Sequence, residues 1–261
     1  MRSDQENRFR LTDLRLVPPW LTGLALLFVF GCAVEWAVAT GFVSRTIVAR
    51  PSEAIIGLVT LQQKVDLFGA IRTTFGIVAA AILLECLVAI PFGYFLYRRR
   101  DFGLAYTGWL AALFSAPIFL LYPLFMVIFG RNQLTLIVMG FLPGVIPLII
   151  HVQQGFLGVS RTMINVGLSC DLTPRQMFWK IMFPAAAPSI FTGFRLALMY
   201  TLINVIAIEY LVNVGGLGVI VSDRYFRFDI PGTYSAIIAV MGISIVCNWA
   251  IGRMERFVRP V

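Results

Sequence analysis

The chain has 261 residues, of which 59% are hydrophobic and 13% charged, and its formal net charge is +8. Soluble domains carry about 25% charged residues, so this composition excludes a solvated globular surface. All but two of the 21 basic residues are Arg, gathered at the ends of apolar runs, which marks the loops of a membrane protein and excludes a basic face for nucleic acid.

At about 20 apolar residues per crossing, the length accommodates roughly six spans. Met1 to Val17 is polar, holds Arg2, Arg8, Arg10 and Arg15, and reads as a cytoplasmic tail over 1–17. Pro18 and Pro19 open an apolar run over 20–43. Ala37-Val38-Ala39 formally fits a signal-peptide cleavage site, but the run is too long for a signal core, so an uncleaved first span is expected. The mixed segment 44–69, with Pro51-Ser52-Glu53, is expected outside the membrane as a short amphipathic helix. Further spans are expected over 71–97, ending at Arg98-Arg99-Arg100, over 104–129, closed by Gly130-Arg131-Asn132, and over 134–152. The polar stretch 153–184 precedes a fifth span over 185–212, and a loop with Gly215-Gly216-Leu217-Gly218 leads to a sixth over 234–251. The organisation is thus a tail followed by one transmembrane domain, 18–261.

With the N-terminus inside, most Lys and Arg residues fall on cytoplasmic segments, among them Arg161, Arg175, Lys180, Arg195, Arg253, Arg256 and Arg259. The positive-inside rule then favours both termini in the cytoplasm and an even number of spans. The expected fold class is an all-α polytopic membrane protein of about six transmembrane helices, N-in and C-in. Pro91, Pro117, Pro123, Pro143 and Pro147 lie inside spans, where freed backbone groups are tolerated only against neighbours or a cavity. Such broken helices suit a channel-like or transporter-like bundle, although any one proline also fits a kink that improves packing. Cys32, Cys86, Cys170 and Cys247 are scattered and have neither metal nor redox spacing.

The segment Val159 to Pro184 ends in Met177-Phe178-Trp179-Lys180-Ile181-Met182-Phe183-Pro184, followed by Pro188-Ser189, Gly193-Phe194-Arg195, Glu209 and Gly215-Gly216-Leu217-Gly218. Pro51-Ser52 after the first span and Ala116-Pro117, Pro123-Leu124 and Phe129-Gly130 in the third add to this ordered set. Together they resemble the permease subunits of ATP-binding-cassette importers, in the branch that takes up sulfonates, taurine, nitrate and related small solutes. In that family the cytoplasmic loop reads Glu-Ala-Ala, three residues, Gly, nine residues, then Ile-x-Leu-Pro. Counting back from Ile181, the family Gly falls on Asp171 and the Glu-Ala-Ala on Asn165-Val166-Gly167. Length and apolar end are kept; the Glu and the Gly are lost.

The resemblance implies a type I importer-like permease fold in the bacterial cytoplasmic (inner) membrane. It implies a loop that seats in a groove of an ABC ATPase, with Val166, Leu168, Met177, Phe178 and Trp179 as apolar contacts and Arg175 and Lys180 at the rim. The coupling candidates are therefore Asn165, Val166, Gly167, Leu168, Asp171, Arg175, Met177, Phe178, Trp179 and Pro184. Asp is tolerable at a tight turn because it visits left-handed conformations more readily than most residues. Two pairings remain open: an asymmetric permease whose second subunit carries a more typical loop, or a homodimer. A binding protein is expected to deliver the solute outside, with 44–69 or 213–232 as docking segments.

The only lysines are Lys64 and Lys180, and neither lies in a phosphate-binding Gly-Lys-Ser/Thr turn. The chain is thus expected to bind no cofactor and to be no enzyme, with ATP and Mg on the partner ATPase. Candidate solute-pathway residues are Ser115, Tyr122, Tyr200, Asn204 and Glu209. Glu35 and Glu85 also fall in spans, where carboxylates are expensive, and read more simply as protonated or paired structural groups. His151, the sole histidine, reads as structural. Two rival functions stay in view: a stand-alone proton-coupled carrier relaying through Glu35, Glu85 and Glu209, and a membrane-embedded enzyme, for which clustered acid, base or metal-binding residues are lacking.

Overall fold

The computed structural model describes residues 18–258; the tail over 1–17 and Arg259 lie outside the described residues. The described chain is helical, without a strand. Helix α1 (Pro19–Ala39) and the shorter α2 (Pro51–Lys64) are followed by α3 (Leu67–Arg98) and α4 (Arg100–Ser115). A 3-10 turn (Ile118–Leu121), α5 (Tyr122–Phe129) and α6 (Gln133–Leu157) come next. Then come α7 (Arg161–Ser169), the single turn α8 (Pro174–Met177), a π-helical turn (Phe178–Met182), α9 (Phe183–Val212), α10 (Leu217–Phe226) and α11 (Ile230–Val258). Among the described residues, five helices are long and apolar enough to cross a membrane, or six when the bent pair around Ala116 counts as one span.

That bent pair corrects the expected continuous third span over 104–129. Helix α4 stops at Ser115 and the chain resumes at Ile118, turned by 76°. Pro117 is the cause: its ring excludes the preceding residue from helical geometry, and Ala116 is extended, at φ −73° and ψ 140°. Pro91, Pro143, Pro147 and Pro188 lie within continuous helices. The fourth span is longer than expected, since α6 runs to Leu157. Gln153, expected in the loop, is buried and accepts from Thr107 Oγ1 at 3.0 Å, tying α4 to α6.

Helix α6 is the centre of the bundle, packed between α3 and α9. Close approach depends on small residues, as in other membrane bundles. A Cβ on Gly93 would lie 2.7 Å from Val152, one on Gly140 would lie 2.8 Å from Val205, and one on Gly155 would lie 3.0 Å from the Ala186 carbonyl. His151 packs over Gly193, and its carbonyl accepts from Ser189 Oγ at 2.9 Å. A second cluster joins α2, α10 and α11 through Leu61, Leu217, Ile220 and Ala236. Ser235 Oγ, on α11, donates to the Ala54 carbonyl of α2 at 2.8 Å. Helix α1 stands apart: only 6% of its apolar window is buried within the chain.

Candidate coupling loop and the polar contacts between spans

Between α6 and α9 the backbone is held by caps. Ser160 Oγ accepts from the Met163 amide at 3.3 Å and starts α7, as N-cap serines do. The helix closes with Leu172 N–H donating to the Gly167 carbonyl at 3.2 Å and Asp171 N–H to the Leu168 carbonyl at 3.0 Å. This pair of bonds is a Schellman closure, which needs a left-handed residue after the cap. Asp171 supplies it, at φ 50°. Thr173 and Gln176 then form a reciprocal capping box, and Pro174 occupies the first helical position, where its missing N–H costs nothing. The π turn Phe178–Met182 runs directly into α9.

This geometry divides the coupling candidates. Asn165, Val166, Leu168, Asp171, Arg175, Trp179 and Pro184 are exposed, with Val166 57% and Leu168 60% accessible. Met177 is only 8% accessible, and a Cβ on the buried Gly167 would lie 2.7 Å from its Cε. Phe178 stands against Tyr94 and Phe156, with ring centroids 5.0 and 5.8 Å away. Gly167, Met177 and Phe178 therefore pack the loop onto the bundle and are not presented outward, contrary to expectation. Met177 is drawn inward by its contact with Gly167, and Phe178 by the rings of Tyr94 on α3 and Phe156 on α6, partners that only the folded chain brings together. Met163, 51% exposed, shares the outer face of α7 with Val166 and was missed; its i, i+3 spacing to Val166 carried the signal. Thr162, Met163, Val166, Lys180, Ile181, Pro184 and Ala185 line a largely apolar groove of about 450 Å³.

The carboxylates inside spans are tied to neighbours. Glu209 is fully buried and accepts from Thr74 Oγ1 at 2.8 and 2.9 Å and from the Gly218 amide at 3.0 Å. Thr74 in turn accepts from the Leu217 amide at 2.9 Å. Glu209 thus caps the N-terminus of α10 and fastens α9 to α3, a favourable place for negative charge. These contacts place Glu209, expected on the solute pathway, at the junction of α3, α9 and α10. Gly216 is at φ 100°, and a Cβ there would collide with the Glu209 carboxylate. Glu85 is also fully buried; its Oε1 accepts from Thr201 Oγ1 at 2.5 Å, while its Oε2 has no partner among the described residues. Glu35 accepts from the Ser52 amide at 3.1 Å and from Ser52 Oγ at 2.9 Å, so it caps α2. These three carboxylates serve separate junctions, with no direct contact between them.

Of the remaining pathway candidates, Tyr200 stands edge-on to Phe114, with ring centroids 4.9 Å apart, and joins α9 to α4. Asn204 Nδ2 donates to the Tyr200 carbonyl at 2.9 Å. Ser115 is exposed and donates to the Ala111 carbonyl at 3.1 Å. Tyr122, half-buried, begins α5 beyond the break and packs on the core. Tyr200, Asn204, Ile203 and Leu211 form one accessible stripe on α9. Among the described residues no group of His, Cys, Asp and Glu is placed to hold a metal ion.

A helical bundle with a bent third span and a capped amphipathic helix between two long spans defines a membrane permease subunit. Its fold matches the inward-facing MetNI methionine ABC transporter, with a TM-score of 0.61 at 19% identity over 72% of this chain and 94% of that one. Residues 87–260 match the binding-protein-dependent transport system inner membrane component family, and the chain belongs to it. It is 22% identical over 235 residues to the formylaminopyrimidine transport permease protein ThiX of Halalkalibacterium halodurans, covering 90% of this chain and 94% of that protein. It is 24% identical over 204 residues to the putative aliphatic sulfonates transport permease protein SsuC of Bacillus subtilis, covering 78% and 74%. The chain is a multi-pass membrane protein and a translocation-pathway permease subunit of an ABC importer, a class that works with ATPase and substrate-binding partners.

Proposed function

We propose that this subunit couples to a separate ABC ATPase through α7 and the turn that follows it, in a bacterial cytoplasmic (inner) membrane with both termini inside. One observation carries the reading: Asp171 completes a full Schellman closure, so the loop keeps a defined shape although the Glu and Gly of the family motif are absent. Met163 and Val166 then form an apolar ridge, with Leu168 exposed on the other flank of α7, Asn165 beside it and Arg175 and Lys180 at the rim. Seating such a ridge in a groove is a common mode of helix recognition. Gly167 of α7 packs on Met177 and Ile181, and α8, the π turn and α9 run on without a break, so displacement of α7 would pass through that contact to the stripe of Tyr200 and Asn204.

ATP and Mg belong to the ATPase, and this chain binds no cofactor and carries no catalytic site. A second permease subunit completes the pathway, either a copy of this chain or a chain with the more typical loop, and an extracytoplasmic binding protein delivers a small solute. The exposed stripe on α9, the Ser115–Tyr122 break and the little-buried α1 are the surfaces such a pairing would cover. The solute class is consistent with the small organic solutes named for the relatives. Reconstituting the purified complex tests the reading: uptake should require ATP and binding protein together. Uptake driven by a proton gradient, without any ATPase, would overturn it in favour of a stand-alone carrier.

A further inference from the structure

The carboxyl of Glu85 belongs neither to the coupling loop nor to the accessible stripe on α9. It sits where α3, α6 and α9 meet, fully buried, on a face of α3 whose other buried members include Ala81, Ile82 and Ala89. We propose that Glu85 is a proton-binding site: its carboxyl is held as the neutral acid and donates to Thr201 Oγ1, which donates to the Gly140 carbonyl. One uncharged relay then latches the three central helices together.

Three observations carry the assignment. Thr201 Oγ1 lies 2.5 Å from Glu85 Oε1 and 3.2 Å from the Gly140 carbonyl, both within hydrogen-bond reach. A threonine hydroxyl has one proton and cannot serve two acceptors fully. With a proton on the carboxyl, the same hydroxyl accepts from Glu85 and donates to Gly140, so each contact has its own donor. The second observation is Oε2, which is buried and has no partner among the described residues. Glu209, by comparison, has a donor on each oxygen and a helix start beside it. A buried carboxyl with a single donor gains more by taking up a proton than by holding a charge. Third, no cation answers it. Among the described residues Glu85 makes no ion pair. Cys86 is beside it on α3, while Arg72 and Arg98 are about 20 Å away along that helix at 1.5 Å per residue. On α9, Tyr200 adjoins Thr201 but stands against Phe114. His151 on α6, and Arg195 and Glu209 on α9, lie about 9–12 Å along their helices from Gly144 or Thr201. Arg195 is engaged by Asn248 and Glu209 by Thr74. The site is also shaped for the group: a Cβ on Gly144 would collide with both the Glu85 carboxyl and Thr201 Oγ1. No second carboxyl touches the relay, so its proton is held and not passed on.

Infrared spectroscopy reads such a proton directly, because the C=O stretch of a carboxylic acid is separate from the bands of a carboxylate. The full chain is purified at pH 7 in a detergent without ester groups, and the spectrum of Glu85→Gln is subtracted from that of the wild type. The expected difference is the loss of one carboxylic-acid band with no loss of carboxylate bands; Glu35 and Glu209 are common to both samples and cancel. Thr201→Val keeps the carboxyl but removes its acceptor, so the same band should move to higher frequency. This second variant tests the site even where Glu85→Gln fails to fold. A wild-type spectrum without any acid band would overturn the proposal. So would loss of carboxylate bands in Glu85→Gln, or an acid band that Thr201→Val leaves unmoved. No ATPase is present, so the outcome is independent of whether import proves to be ATP-driven.

Discussion

Thr74 donates to Glu209 and accepts from the Leu217 amide, so Thr74→Val strips a buried carboxylate and a helix start of one partner each. The expected loss is about 1–3 kcal/mol, the usual cost of leaving a buried polar group unsatisfied, read as a lower unfolding midpoint in detergent. Gly216→Ala meets the same carboxylate at a backbone angle that L-residues avoid; about 1–3 kcal/mol is again expected by the same assay. Asp171 sets the opposite case. Asp171→Gly should be neutral or stabilising by about 1 kcal/mol or less, whereas Asp171→Val should destabilise the turn. Amide exchange at Leu172 reports both. Residue roles were unevenly legible in the sequence: the register that puts Asp171 at a turn follows from counting back from Ile181. The role of Glu209 does not, because its partners Thr74 and Gly218 meet it only after α10 folds back.

At the scale of elements, apolar run length and flanking Arg residues locate every long helix, since lipid imposes both. The break in the third span is less legible. Pro117 interrupts its helix whereas Pro143 and Pro147 do not, and the local sequence around each is similarly apolar. Contacts made in the folded bundle decide between a kink and a break. The inward turn of Met177 and Phe178 escapes sequence reading for the same kind of reason: their partners Gly167, Tyr94 and Phe156 reach them only in the folded chain. Exposed α7 residues offer the complementary test. Val166→Asp with Leu168→Asp places charge on both exposed flanks of α7 without touching the bundle, and should abolish ATPase recovery on affinity purification while membrane levels stay unchanged. Equal recovery would show that the ATPase binds elsewhere.

Across the molecule, the core formed by α3, α6 and α9 is self-sufficient, while α1 and the stripe on α9 expose apolar surface within a single chain. Lipid covers such a surface without cost, and the proposed second subunit would cover part of it. The polar junctions at Glu35 and Glu209 lock the α1–α2 and α3–α9–α10 contacts, leaving α7 as an exposed element linked to α9 through the Asp171 turn, α8 and the π turn. The most direct test of this arrangement is purification of the full chain from its native membrane, with mass spectrometry of the proteins that accompany it. Recovery of an ABC ATPase from the wild type, and its loss with the Val166→Asp, Leu168→Asp pair, is the predicted result. A chain that emerges without an ATPase and transports solute on a proton gradient would contradict it.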